Sequence, residues 1–223
     1  MAVKLKIPKI RQTTLGTCGP TSLIMVMSYL NDVAYSPKLE FELWRDAIFL
    51  PTRLTTAVGL AIAALKRGYN LIVFRENPFC ILPKLDDKFL EYESLGGRID
   101  INKTTDINYE IQKLELLKYP SRYIEINRKI KIEDIEKCLK IKIPPLVLIN
   151  TDKLSRIKDN LTHWVVVSGI DNLKGVIYIN DPEDKIEEIP ICSFDDVTTI
   201  NDSCSQALII FKDELNKIKN KIL

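Results

Sequence analysis

The sequence predicts an α+β fold, because helical patterns dominate its first third and β-branched strand patterns its last third, without regular alternation. Three stretches carry this expectation. Pro20 to Leu30 is apolar all round, through Leu23, Ile24, Met25, Val26, Met27 and Leu30, which places a helix at the centre of a domain. Thr55 to Arg67 is a second apolar helical run, and Gly68 stops it. From Leu146 onward the chain breaks into Leu146–Ile149, His163–Ile170, Gly175–Ile179 and Ala207–Phe211, short β-branched runs separated by polar segments.

The remaining elements follow in order. Val3–Ile10 reads as a short extended segment, and Thr13-Thr14-Leu15-Gly16-Thr17 as a turn leading into the first helix, which Asn31-Asp32 ends. Pro37–Phe49 reads as a second helix, since proline is accepted in a first helical turn. A strand, Asn70–Phe74, follows Gly68. From Glu76 to Lys129 the pattern weakens, with a turn at Gly96-Gly97, a helix over Tyr109–Leu117 and a strand over Ser121–Ile126. This stretch, residues 76–129, reads as an insertion or cleft wall within a single domain spanning residues 1–223. Glu133–Leu139 has helical spacing with acids near its start, and Pro144-Pro145 leads into the next strand. Asp171-Asn172-Leu173-Lys174 has the chemistry of a hairpin turn between two strands, and the charged tail Glu214–Lys221 is helical.

Composition narrows the class. Charged residues at 28% and hydrophobic residues at 46% exclude a disordered or collagen-like chain. Lysine and arginine number 32 against 30 acids, a formal charge of +2, so no basic field favours a nucleic-acid partner. The longest apolar run, Ala57–Leu65, is far short of the ~20 residues of a membrane span. The first eleven residues carry no signal-peptide core, and the expectation is a soluble cytoplasmic protein without membrane contact. Five cysteines without a C-x-x-C pair, and a single histidine, give no zinc cage, and no cofactor is expected. Cys80, Cys138, Cys192 and Cys204 read as reduced thiols. The oligomeric state is open at this level.

One constellation points to chemistry. Cys18 stands where the turn meets the N-terminus of the most buried helix, with Thr17 in the N-cap position. Unpaired amides and the positive end of the helix dipole stabilise a thiolate there. Gly19, without a side chain, leaves room for a substrate backbone. His163 heads a strand, His163-Trp164-Val165-Val166-Val167, and an imidazole suits the base that a thiol needs near neutral pH. A carboxylate or amide would orient that imidazole. Facing residues of the following hairpin have a constant index sum, about 344 to 346 for the turns allowed here. An even sum brings Asp181 to the face of His163, and an odd sum brings Asn180. Gln12, six residues before Cys18 on a flexible loop, is the candidate oxyanion donor beside the Cys18 amide.

Gln12-Thr13-Thr14-Leu15-Gly16-Thr17-Cys18-Gly19-Pro20-Thr21-Ser22-Leu23, His163-Trp164-Val165-Val166-Val167 and Asn180-Asp181-Pro182, in that order, resemble the papain-like cysteine peptidases of the bacteriocin-processing (double-glycine leader) type and their freestanding relatives. The resemblance covers most of residues 5–200, including the helix and strand after Thr55 and the Ile132–Ile149 segment. It implies N-terminal helices packed against a C-terminal antiparallel sheet, with the cleft between them. It further implies Cys18 as nucleophile, His163 as base and then acid, Asp181 as orienter, and Gln12 in the oxyanion hole. Many relatives have an acidic or amide residue immediately before the cysteine, where this chain has Thr17. The activity implied is cysteine-dependent hydrolysis of peptide or other amide bonds through a thioester. Acyl transfer by the same residues, or an inactive papain-like binding module, are the alternatives.

Overall fold

The computed structural model describes residues 1–30, 33–49, 54–76, 115–116, 118–154, 162–200 and 205–223. The expected stop at Asn31-Asp32, the Gly96-Gly97 turn, most of the Tyr109–Leu117 helix, Cys80 and Cys204 lie outside these residues. So does most of the segment 76–129.

The first helix, α1 (Cys18–Tyr29), is buried continuously from Gly19 to Met27, as its all-round apolar pattern requires. Next, α2 (Pro37–Ala47) is capped by Ser36, whose hydroxyl accepts from the Leu39 amide at 3.1 Å. It ends two residues earlier than its pattern suggests, because Ile48–Phe49 (β2) pairs with Leu54–Thr55 (β3) in a small separate ribbon. Thr56 caps α3 (Ala57–Lys66) by accepting from the Gly59 amide at 3.1 Å. A Cβ on Gly59 would lie 2.1 Å from the Ala47 carbonyl oxygen, so this glycine sets how closely α2 and α3 approach. Gly68, at φ +89°, ends the turn after α3 as expected.

The strands are β1 (Ala2–Lys4), β4 (Asn70–Glu76), β5 (Tyr123–Ile126), β6 (Leu146–Asn150), β7 (Thr162–Asp171), β8 (Val176–Asn180), β9 (Glu188–Pro190) and β10 (Ser205–Phe211). They form one sheet in the order β5-β4-β10-β6-β7-β8-β9, and β1 joins β7 opposite Gly169–Asp171. Every pairing is antiparallel except β4 with β5. The expected α+β class holds, with one enlargement. In β10, Leu208 and Ile210 face the core under α1, α2 and α3, whereas Ala207, Ile209 and Phe211 face a second core. That second core lies under α4 (Ile132–Lys140), α5 (Phe194–Val197) and α6 (Leu215–Ile222). Strands apolar on both faces need cover on both faces, so helices flank the sheet from each side. Both β9 and α5 are too short for their periodicity to be legible in sequence.

The β7–β8 hairpin departs from expectation in two ways. Gly175, at φ +69°, belongs to the turn and Asp171 to the strand, so the four-residue turn is shifted by one and the register begins odd, just outside the expected range, with Asp171 opposite Val176. Gly169 still faces Tyr178, but Val167 faces Ile179, so Ser168 is the extra residue of a β-bulge. The core faces record the same slip, since Val165, Val167 and Ile170 all point into the second core. Beyond the bulge the register is even.

No helix among the described residues is long and apolar enough to cross a membrane.

Candidate active site

Cys18 is the first residue of α1 and is partly buried. Thr17 occupies the N-cap position but does not cap with its side chain. Its hydroxyl instead donates to the Thr14 carbonyl at 2.8 Å, closing the turn before the helix. Gly16, at φ +92°, supplies the left-handed residue of that turn. The first amides of a helix have no intrahelical partner, so those of Cys18 and Gly19 remain available beside the thiol, and Pro20 has none to satisfy.

Gly19 serves packing and not, as expected, the approach of a substrate. It is buried, and a Cβ there would lie 2.3 Å from Thr55 Oγ1 and 3.1 Å from Leu60 Cδ1. The space is filled by β3 and α3. Gly19→Ala is therefore expected to cost about 1–3 kcal/mol of stability through overpacking, read as a lowered urea midpoint at unchanged m-value.

The register between α1 and β7 is pinned one helical turn beyond the cysteine. Ser22 lies four residues on, on the same face of α1, and its hydroxyl donates to the Trp164 carbonyl at 3.0 Å. The Trp164 indole, fully buried, donates to the Thr55 carbonyl at 3.0 Å. Fixing the residue next to His163 in this way holds the imidazole against α1.

His163 and Asp181 are both buried, and His163 Nε2 lies 2.6 Å from Asp181 Oδ1. The Cys18 side chain lies on the other side of the imidazole, close enough to raise its pKa, and Nδ1 is the nitrogen left to face it. Burial opposes the charge on His163, but the hydrogen bonds and charges of Asp181 and Cys18 outweigh it and push the imidazole up to about 10. Burial likewise opposes the Asp181 carboxylate. Its bond to His163 and the amides of Glu183 and Lys185 prevail, holding it below the usual carboxylate range.

The loop after β8 is wrapped around this carboxylate. Oδ1 accepts from the Glu183 amide at 2.8 Å as well as from His163, and Oδ2 accepts from the Lys185 and Ile186 amides, each at 3.0 Å. Asp181 is thus both the turn-starting residue of an Asp-Pro step and the partner of the histidine. Asn180 points elsewhere, its Nδ2 donating to the Ile7 carbonyl at 3.1 Å. The structure places Asp181, and not Asn180, beside His163 because the Ser168 bulge converts the odd register at the turn into an even one.

Gln12 is carried to the same loop by the N-terminal arm. Its amide nitrogen donates to the Pro182 carbonyl at 2.9 Å, and its side-chain Nε2 donates to Glu183 Oε1 at 3.1 Å. The next residue is held by a carboxylate that sequence reasoning missed. Glu40 of α2, fully buried, accepts from the Thr13 amide and hydroxyl, both at 2.9 Å, and from the Tyr35 hydroxyl at 3.0 Å. Its readable signal was a glutamate on the buried face of α2, in line with Leu43 and Ala47. Among the described residues no cluster of three or more His, Cys, Asp or Glu could hold a metal ion.

A thiol beside an imidazole that touches a carboxylate, at the amide end of a helix, can attack a carbonyl and pass a proton to a leaving group. The Peptidase C39 like family matches residues 7–86 and 105–216 of this chain. A protein from Bacillus anthracis assigned as a C39-like peptidase is similar to it at 15% identity and a TM-score of 0.55, over 96% of this chain and 99% of that one. A double glycine motif protease from an AMS/PCAT transporter, crystallised with a leader peptide, is 19% identical over 94% of this chain and 96% of its own, with a TM-score of 0.47. The peptidase domain of Streptococcus ComA, from a bifunctional ABC transporter, is 17% identical over 92% and 98%, also with a TM-score of 0.47. Among curated proteins, none matches the chain.

Proposed function

We propose a function from one premise: this chain belongs to the Peptidase C39 like family. Its activity is hydrolysis of peptide or other amide bonds by a cysteine nucleophile. The observation that carries this reading is the buried His163–Asp181 pair at 2.6 Å, set beside Cys18 at the start of α1.

The Cys18 thiolate attacks the carbonyl carbon, and the new oxyanion accepts hydrogen bonds from the Cys18 amide and Gln12 Nε2. His163, charged as the imidazolium, donates its proton to the departing amine, leaving a thioester on Cys18. The now neutral imidazole then takes a proton from water as the water attacks the thioester. That step releases the acid and restores the thiolate–imidazolium pair. Asp181 keeps Nε2 as the donor to itself, so that Nδ1 faces the thiol throughout.

Incubation of the protein with a proteome-derived peptide library, followed by mass spectrometry of new N-termini, tests the reading. New termini are expected with the natural sequence and none with Cys18→Ala. Equal termini in both, or none in either, would overturn it.

A further inference from the structure

We infer that Glu183 is a positioning residue for Gln12, and that it ties the oxyanion donor to the carboxylate that orients the histidine. The inference rests on the hydrolase reading above and deepens it. A glutamine side chain can present either its oxygen or its nitrogen, and an oxyanion hole needs the nitrogen. A carboxylate only accepts hydrogen bonds, so Glu183 Oε1, 3.1 Å from Gln12 Nε2, admits one orientation of the amide. Reversing it would set Gln12 Oε1 against a negatively charged oxygen.

The orientation is held at a cost. Gln12 Oε1 is buried and has no hydrogen-bond partner among the described residues, a state that a free side chain would relax by rotating. The bond to Glu183 prevents that, and it consumes one of the two N–H groups on Nε2. The other remains for a developing oxyanion. Glu183 is itself fixed twice, by the Lys185 ammonium 2.6 Å from its Oε2 and by its own amide, which donates to Asp181 Oδ1. That Oδ1 is the oxygen bound to His163. The proton-transfer pair and the oxyanion donor therefore meet in one residue, and the Gln12 amide bond to the Pro182 carbonyl completes the attachment.

Two reactions of Cys18 separate this role from a merely structural one. Alkylation by iodoacetamide displaces iodide from a saturated carbon and develops no oxyanion. Acylation by p-nitrophenyl acetate forms the sulfur–carbonyl carbon bond through an oxyanion and expels p-nitrophenolate with its electron pair. Glu183→Ala is expected to slow acylation by about 10-fold or more, a share of the ~10²–10³ carried by an oxyanion donor. Alkylation should stay within about twofold, because the backbone amide to Asp181 survives the change. Gln12→Ala should slow acylation at least as much, and the double variant no further than Gln12→Ala alone. Glu183→Gln, which still offers an accepting oxygen, should recover part of the loss. Equal slowing of both reactions, or additive losses with Gln12→Ala, would overturn the inference. A natural-sequence Cys18 inert to both reagents would instead overturn the hydrolase reading on which it rests.

Discussion

His163→Ala is expected to reduce kcat on a peptide substrate by about 10⁴-fold or more, the loss seen when a base is removed from groups that act as a unit. Two contributions disappear together. The leaving amine loses its proton donor, and the thiolate loses the imidazolium beside it. Their relative weight can be read from the leaving group. An amide nitrogen must be protonated as it departs, whereas p-nitrophenolate departs as an anion. The variant should therefore lose more activity on an amide than on the nitrophenyl ester. The single histidine of the chain makes the measurement clean, since no second imidazole can substitute. The fold should persist, because Asp181 keeps its bonds from the Glu183, Lys185 and Ile186 amides. Equal losses on both substrates, with unchanged circular dichroism, would leave His163 only its ion-pairing role. Amide hydrolysis retained within about tenfold would remove it from catalysis altogether.

Asp181→Asn carries the second largest effect, about 10³–10⁴-fold on kcat by analogy with the same exchange in other triads. The structure adds a reason specific to this loop. The two carboxylate oxygens accept four N–H bonds in all, from His163 and three backbone amides. An asparagine has only one accepting oxygen, so its NH₂ must face donors at one end or the other. Either the histidine is presented with the wrong tautomer, or the turn at Lys185 and Ile186 opens. In both cases the cause that holds the imidazole charged is weakened, and the alkaline limb of the kcat/KM profile should move to lower pH. A limb that does not move would show that Asp181 does not govern the imidazole.

The same pair shapes stability. His163 is raised from 6.5 to about 10, so its contribution is complete below 6.5 and is lost as pH rises through about 10. Asp181 is lowered from 3.8, so its contribution is present above that value and fades as pH falls below it. Urea midpoints across pH should thus form a plateau between about 3.8 and 6.5 and decline from there towards about 10, with both limbs flattened in Asp181→Asn.

Much of this protein was legible in its residues. Cys18 stood out as a candidate nucleophile because a cysteine at the start of an all-apolar helix is a local feature, set by helix geometry and the unpaired amides of a first turn. His163 stood out as its candidate partner because it is unique and heads a β-branched run. The fold class followed from hydrophobic period, which each segment carries within itself. The choice between Asp181 and Asn180 did not follow, because it depends on the parity of a hairpin register, and one extra residue, Ser168, reverses that parity. That bulge sits where the N-terminal arm meets the sheet, with the Leu5 amide donating to the Ser168 carbonyl at 2.7 Å. A Cβ on Gly169 would fall 2.5 Å from the Val3 carbonyl oxygen. Residues more than 160 positions apart in the chain meet there, as they do where Gln12 meets Glu183. Sequence alone therefore determined which groups could do chemistry, since side-chain type and local period are properties of short segments. Only the tertiary structure decided which of them touch, because register and long-range hydrogen bonds exist only once the whole sheet is assembled.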